Sequence, residues 1–319
     1  MSSTISFEAL GHDLARPECV LATAAGDLLV SDWRGGVTVI GQDGSQRRWL
    51  AESSSFDLRP NGVALTDDGS LLIAHLGESG GVYRLRPDGA LAPVLLEVDN
   101  APLPPTNFVT IDASGRTWIS VSTRHHPRQL AWRRGVADGF IVLIDRKGAR
   151  IVADGLAYTN EIRVDPSGRW LYAVETFGRR LSRFPILPNG DLGDAETVIE
   201  FGHGCFPDGF EFDSNAGIWV TSLVSNRLLR LHADRLETVI DDGSAAHTKA
   251  VEEAFSAGAM SREHLGPIPG TKMQHLTSIA FGGADLRTGY LGCLHATCVY
   301  RFRAPVAGVA PIHWNVTIP

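Results

Sequence analysis

Short apolar runs alternate with polar turns along this chain, and six stretches repeat one arrangement. Each has a polar residue, a few apolar residues, a turn ending in glycine, and a second apolar run. The copies are Glu18–Gly26, Asn61–Gly69, Asn107–Gly115, Asn160–Gly168, Asp208–Gly217 and Thr277–Gly283. The turn glycines recur at intervals of 43, 46, 53, 49 and 66 residues. A period in the forties, built of short strands and tight turns, marks a β-propeller with four strands per blade. The second copy shows the four strands: Val63–Leu65, Leu71–Ala74, Val82–Leu85 and Leu91–Leu96, separated by Asp67-Asp68-Gly69 and Asp88-Gly89. Asp43-Gly44, Lys147-Gly148 and Asn189-Gly190 are outer-hairpin turns of the same kind. The pattern predicts an all-β, six-bladed propeller with four-stranded antiparallel blades, a single domain over residues 1–319. Only His247–Ala257 reads as helix, because small and charged residues replace the β-branched runs there.

The last unit supplies three good strands and then Ala304–Gly308, a poor one. Ile5–Leu10 alternates apolar and polar, so the N-terminal segment is expected to complete blade six as its outer strand. The tail His313–Ile318 is the alternative. Two insertions interrupt the repeat: Ser122–Asp138 between strands two and three of blade three, and Asp242–His275 between blades five and six. Both are placed on the channel-mouth face, where long loops serve as lids or specificity elements. The first carries Arg124, His125, His126, Arg128 and Trp132; the second carries His264, Lys272 and His275.

Composition narrows the class. A net charge of −7 with scattered arginines argues against nucleic acid as a partner. No apolar run approaches the ~20 residues that span a bilayer, and Met1–Thr4 lacks the features of a secretion signal. Four cysteines without a CxxC pair are expected to be reduced thiols, so the chain is read as cytoplasmic. Monomer and homo-oligomer stay equally open.

In a propeller the first strand of each blade lines the channel, so the six leading residues form a ring: Glu18, Asn61, Asn107, Asn160, Asp208 and Thr277. All carry side-chain oxygen. Carboxylates and amide carbonyls converging on one point suit a hard divalent cation, Ca2+ foremost, with Mg2+ or Mn2+ as alternatives and Zn2+ less favoured. The ring shows no counter-cation in register; the plainer reading is a polar lining for a water-filled channel. Residues ending the second strands, among them His75 and Glu175, also point towards the mouth. Binding roles for these two compete with ordinary structural hydrogen bonds.

The segments Leu156–Ile186, Phe206–Ser222 and Thr277–Asp285, taken together, resemble the SMP-30/gluconolactonase/LRE family. The resemblance covers essentially the whole chain. It implies a six-bladed propeller with one catalytic divalent cation on the channel axis, bound by Glu18, Asn160 and Asp208. Asn107 matches a substrate-contacting residue, and Asp208 also matches the family's general base. The chain departs from the pattern at Glu18-Cys19-Val20 and at Asn160-Glu161, which adds a carboxylate. Pro105 stands where members acting on sugar lactones carry an arginine.

The expected activity is metal-dependent hydrolysis of a lactone, a small-molecule substrate. Metal-activated water attacks, Asp208 acts as base and Asn107 steadies the oxyanion. Asn61, His75, Glu175, Arg124, His125 and His275 are candidate substrate contacts. Isomerisation or lyase chemistry at the same site, and a non-enzymatic binding propeller with a structural metal, are the alternatives. Gly77–Gly81 matches G-x-S-x-G literally but lies in a loop between antiparallel strands, without the strand-to-helix turn of a nucleophile elbow. Cys205 is read as a buried small hydrophobe.

Overall fold

The computed structural model describes residues 5–52 and 54–318; Met1–Thr4, read above for a secretion signal, lie outside them. Six four-stranded antiparallel sheets form the blades. Their inner strands are Val20–Ala22, Pro60–Leu65, Thr106–Ile111, Thr159–Val164, Pro207–Phe212 and Leu276–Gly282. The helix runs Ala245–Ser256, with the Ser244 side chain accepting from the His247 amide. The N-terminal strand Phe7–Leu10 pairs antiparallel with Val299–Arg303 and completes blade six. Among the described residues the tail forms no strand. It crosses the turn face instead, where Val309 N donates to Phe212 O and Ala24 N to Trp314 O.

Turn chemistry and core are coupled in the blades. Asp213, which opens the lengthened turn of blade five, accepts from the Asn215 and Gly217 amides. It also accepts from Trp219 Nε1 at 2.8 Å and Arg230 Nε at 2.7 Å. Asp112 does the same for Ser114, Arg116 and Trp118 in blade three. Trp118 and Trp219 are fully buried, so each indole N–H needs that internal acceptor. Asp213→Ala strands a buried guanidinium and a buried indole together. A loss of about 3 kcal/mol or more in denaturant unfolding is expected; a change under about 0.5 kcal/mol would place this carboxylate outside the stabilising framework.

Neighbouring blades are joined around the channel by polar contacts. Asn61 Nδ2 donates to Asn107 O, Ser120 Oγ to Asn160 O, and Arg163 Nε to Phe210 O. Thr221 Oγ1 donates to Thr277 O, and Thr277 Oγ1 to Glu18 O, linking blade six to blade one.

Candidate active site

A β-bulge interrupts the pairing of five inner strands, and each falls on the ring. The register slips between Pro60 and Val63, Thr106 and Phe108, Thr159 and Ile162, Pro207 and Phe210, and Leu276 and Ser278. A bulge adds a residue on one side and re-aims a side chain. Here it redirects Asn61, Asn107, Asn160, Asp208 and Thr277 at the mouth of the channel. Glu18 needs none, since it precedes its strand. At Gly209 the close approach demands glycine, because a Cβ would collide with the Thr277 carbonyl and the Glu161 carboxylate.

These residues converge. Glu18, Asn61, Asn160, Glu161, Asp208 and Thr277 line one very small cavity. Glu18, Asn107, Asn160 and Asp208 also form part of the wall of a cavity of about 450 Å3. Asn160 Nδ2 donates to Asp208 Oδ1 and, at 3.2 Å, to Thr176 Oγ1. Burial pushes the Asp208 carboxyl well above its ordinary value; the negative charges of Glu18 and Glu161 add to this, against Arg16 and Arg128. Burial likewise pushes Glu161 up to about 7, offset by Arg163. Arg163 lies between Glu161 at 3.0 Å and Glu211 at 3.3 Å.

The expectation of no counter-cation needs correction. Arg16, with φ of +56°, turns back so that Nη2 lies 2.6 Å and Nε 2.7 Å from Glu18 Oε2. Its guanidinium stacks 4.1 Å over Trp33. Register alone did not show this, because Arg16 lies outside the strand repeat and reaches the ring through a left-handed backbone.

The donor set nevertheless fits a hard dication. Two carboxylates and an amide meet on a cavity, Asp208 is held in repulsion by Glu18 and Glu161, and buried Asn61 Oδ1 has no partner. No three His, Cys, Asp or Glu side chains form a metal-binding group among the described residues. Glu18, Asn160 and Asp208 could hold an ion only as a mixed carboxylate–amide set, one suited to oxygen-seeking metals.

The other candidates lie off the cavity wall. His75 accepts from the Arg59 amide through Nδ1 and packs on Phe56 and Tyr83; burial lowers its pKa to about 4. Fully buried Glu175 is bound by Arg180, Ser182 and the Ala157 amide. Arg124 makes a bidentate pair with Asp154, and His125 is 2.8 Å from Asp138. His275 is buried, its ring nitrogens facing the Leu223 and Gly266 carbonyls. Cys205 is buried, and its thiol is pushed up to about 11 by desolvation, which suits an inert thiol.

Sequence reasoning passed over much of the outer wall: Trp33, Arg59, Tyr158, Arg262 and His295. The two insertions cooperate above it. Trp132 Nε1 donates to Tyr158 OH at 2.9 Å, Phe177 stacks on Phe255 of the helix, and Arg179 pairs with Glu252 at 2.7 Å. The two insertions are therefore anchored to blades four and five by a shared aromatic cluster.

A profile of the SMP-30/Gluconolactonase/LRE-like region matches residues 17–265, and the chain belongs to that family. A 6-deoxy-6-sulfogluconolactonase of Pseudomonas putida is 28% identical over 231 residues, 71% of this chain and 66% of that protein. The chain thus matches just under two thirds of this curated relative. Among solved structures, a gluconolactonase of Xanthomonas campestris superposes with a TM-score of 0.68 at 17% identity, covering 94% of this chain and 90% of that one. Regucalcin of Agrobacterium tumefaciens, described as calcium-binding, gives a TM-score of 0.69 at 17% identity over the whole of both chains. At such identities these structures establish the shared six-bladed architecture. No helix among the described residues is long and apolar enough to cross a membrane.

Proposed function

We propose that the protein is a lactonase that opens a cyclic ester with the help of a divalent cation at Glu18, Asn160 and Asp208. The observation that carries this reading is the convergence of those three side chains on one wall of a cavity, with Asn107 beside them. Membership of the gluconolactonase-like family and the relative named for a sulfogluconolactone support the substrate class.

A bound dication supplies Lewis acidity to an ester carbonyl and acidity to water. The chain supplies the rest. Asp208, whose burial raises its proton affinity, takes the proton of the attacking water as general base. The Asn107 amide donates to the oxygen on which charge develops. Once the ring opens, the proton held by Asp208 passes to the departing alkoxide. Trp33, Trp132 and Tyr158 line the cavity and limit the access of bulk water. Ca2+ is the favoured ion, with Zn2+, Mn2+ or Mg2+ as alternatives.

Proton release from a panel of lactones, measured before and after exhaustive chelation, tests the reading. Activity is expected to fall by about 100-fold or more on chelation and to return with one of the divalent ions. Full activity in metal-free protein refutes the role of the ion. An absence of turnover across the panel, with divalent ion present, refutes the lactonase reading itself.

A further inference from the structure

Four guanidinium groups, those of Arg16, Arg59, Arg128 and Arg262, lie on the wall of the large cavity. Two are committed within the protein. Arg16 is bound to Glu18, and Arg59 donates to Asp57 Oδ2 and to the Trp33 carbonyl. Arg128 and Arg262 take part in no hydrogen bond or ion pair among the described residues. They differ in setting: Arg262 is exposed on the outer insertion, while Arg128 is half-buried at the start of the short 3-10 turn Arg128–Ala131. The charge of Arg128 is felt at both Asp208 and Arg16, which places it beside the reacting end of the cavity. Its backbone is held nearby, since Trp132, next after that turn, is fixed to Tyr158. None of the three carboxylates on the same wall pairs with Arg128: Glu18 is held by Arg16, Glu78 lies 2.9 Å from His126, and Asp208 feels the Arg128 charge without forming an ion pair with it among the described residues.

A half-buried guanidinium without an acidic partner, on a rigid anchor and facing a cavity, is a ready receptor for an oxyanion. The planar fork matches carboxylate, phosphate or sulfonate oxygens in a bidentate way. Partial exclusion of water strengthens that bond relative to one in bulk solvent. The cavity, about 450 Å3, has room for a small ring and a charged substituent together.

Resting on the lactonase reading for the identity of the ring, we infer that this site selects lactones bearing an anionic substituent, with Arg128 as the residue that reads the negative charge. Arg262, nearer solvent, steers such substrates to the mouth by long-range attraction.

Binding can be separated from turnover with two unreactive polyols that differ only in charge, glucitol and glucitol 6-phosphate, titrated calorimetrically into the full-length metal-loaded protein. The phosphate is expected to bind about tenfold or more tightly than the neutral polyol, the usual scale of one charge-assisted contact. Arg128→Gln is expected to abolish the difference, and Arg128→Lys to retain part of it, with thermal melting confirming that both variants fold. Equal affinities in the wild type, an undiminished preference in Arg128→Gln, or no binding of the phosphate up to about 10 mM overturns the inference. Hydrolysis of gluconolactone and its 6-phosphate forms the second arm. A charge preference in binding without turnover of either lactone rejects the lactonase reading and leaves the anion site standing. Turnover of both at equal kcat/KM, in wild type and Arg128→Gln alike, rejects the anion site and leaves the lactonase reading standing.

Discussion

Asp208→Asn is expected to lower kcat/KM for lactone hydrolysis by at least about 10^3, while the metal-free variant melts at a higher temperature than the metal-free wild type. The first effect follows from losing a general base and an anionic donor at once. The second follows from where Asp208 sits. Burial first, and then the negative charges of Glu18 and Glu161, raise its carboxyl pKa, so the ionised form is disfavoured in the folded protein. A neutral amide of the same shape removes that penalty and keeps contact with Asn160. Function and stability therefore move in opposite directions, as they do where a site is built against its own repulsion. Steady-state kinetics and calorimetric melting of the two metal-free proteins check both halves. Activity near the wild-type level would remove Asp208 from the mechanism, and a large fall in melting temperature would show the carboxylate to be a structural element.

Acid is expected to weaken the ring above the pH at which most carboxylates titrate. His75, His275 and His313 are all buried. Desolvation lowers the pKa of each to about 4; Arg59 adds to this for His75, neighbouring His247 and His295 for His275, and Arg163 for His313. In the unfolded chain a histidine titrates near 6.5. Between about 6.5 and 4, the unfolded state thus holds protons that the folded state refuses. Stability is complete above that window and is lost as pH falls through it, by ~1.4 kcal/mol per pH unit for each group. Three groups over two pH units remove roughly 8 kcal/mol, of which the raised carboxyls of Glu161 and Asp208, protonated earlier in the folded state, return part; an ordinary domain has about 5–15 kcal/mol in total. His313→Gln, which deletes one of them, is expected to flatten the fall of stability between pH 6.5 and 5 by about 1.4 kcal/mol per pH unit. An unchanged slope in that variant would place the acid sensitivity elsewhere.

The blades were legible because turn glycines and apolar runs keep a fixed offset, whatever lies between them. The ring was legible for a related reason: Asn61-Gly62 and Asp208-Gly209 pair a polar side chain with a glycine that tolerates the bulge. Contacts set by geometry outside that repeat were not legible. Arg16 reaches Glu18 through a backbone turn that no periodicity encodes. His75 and Glu175 end strands in the register that faces the mouth, yet each is taken up by its own blade, His75 by the Arg59 amide and Glu175 by Arg180 and Ser182. A sequence shows which side chains could turn to the channel, but the stronger of two partners decides. Arg124 and His125 illustrate the same point within the insertion, where Asp138 and Asp154 hold both.

The two halves of the closing blade are written far apart: Glu8 on the first strand meets Arg301 across 293 residues. During synthesis the earliest segment must therefore wait, unpaired, until nearly the whole polypeptide has been made. Until Val299–Arg303 emerges, the five finished sheets stand as an open arc with an exposed flank at each end. A nascent chain halted before that point is an unfinished circle, and its loose edges are open to the wrong partner.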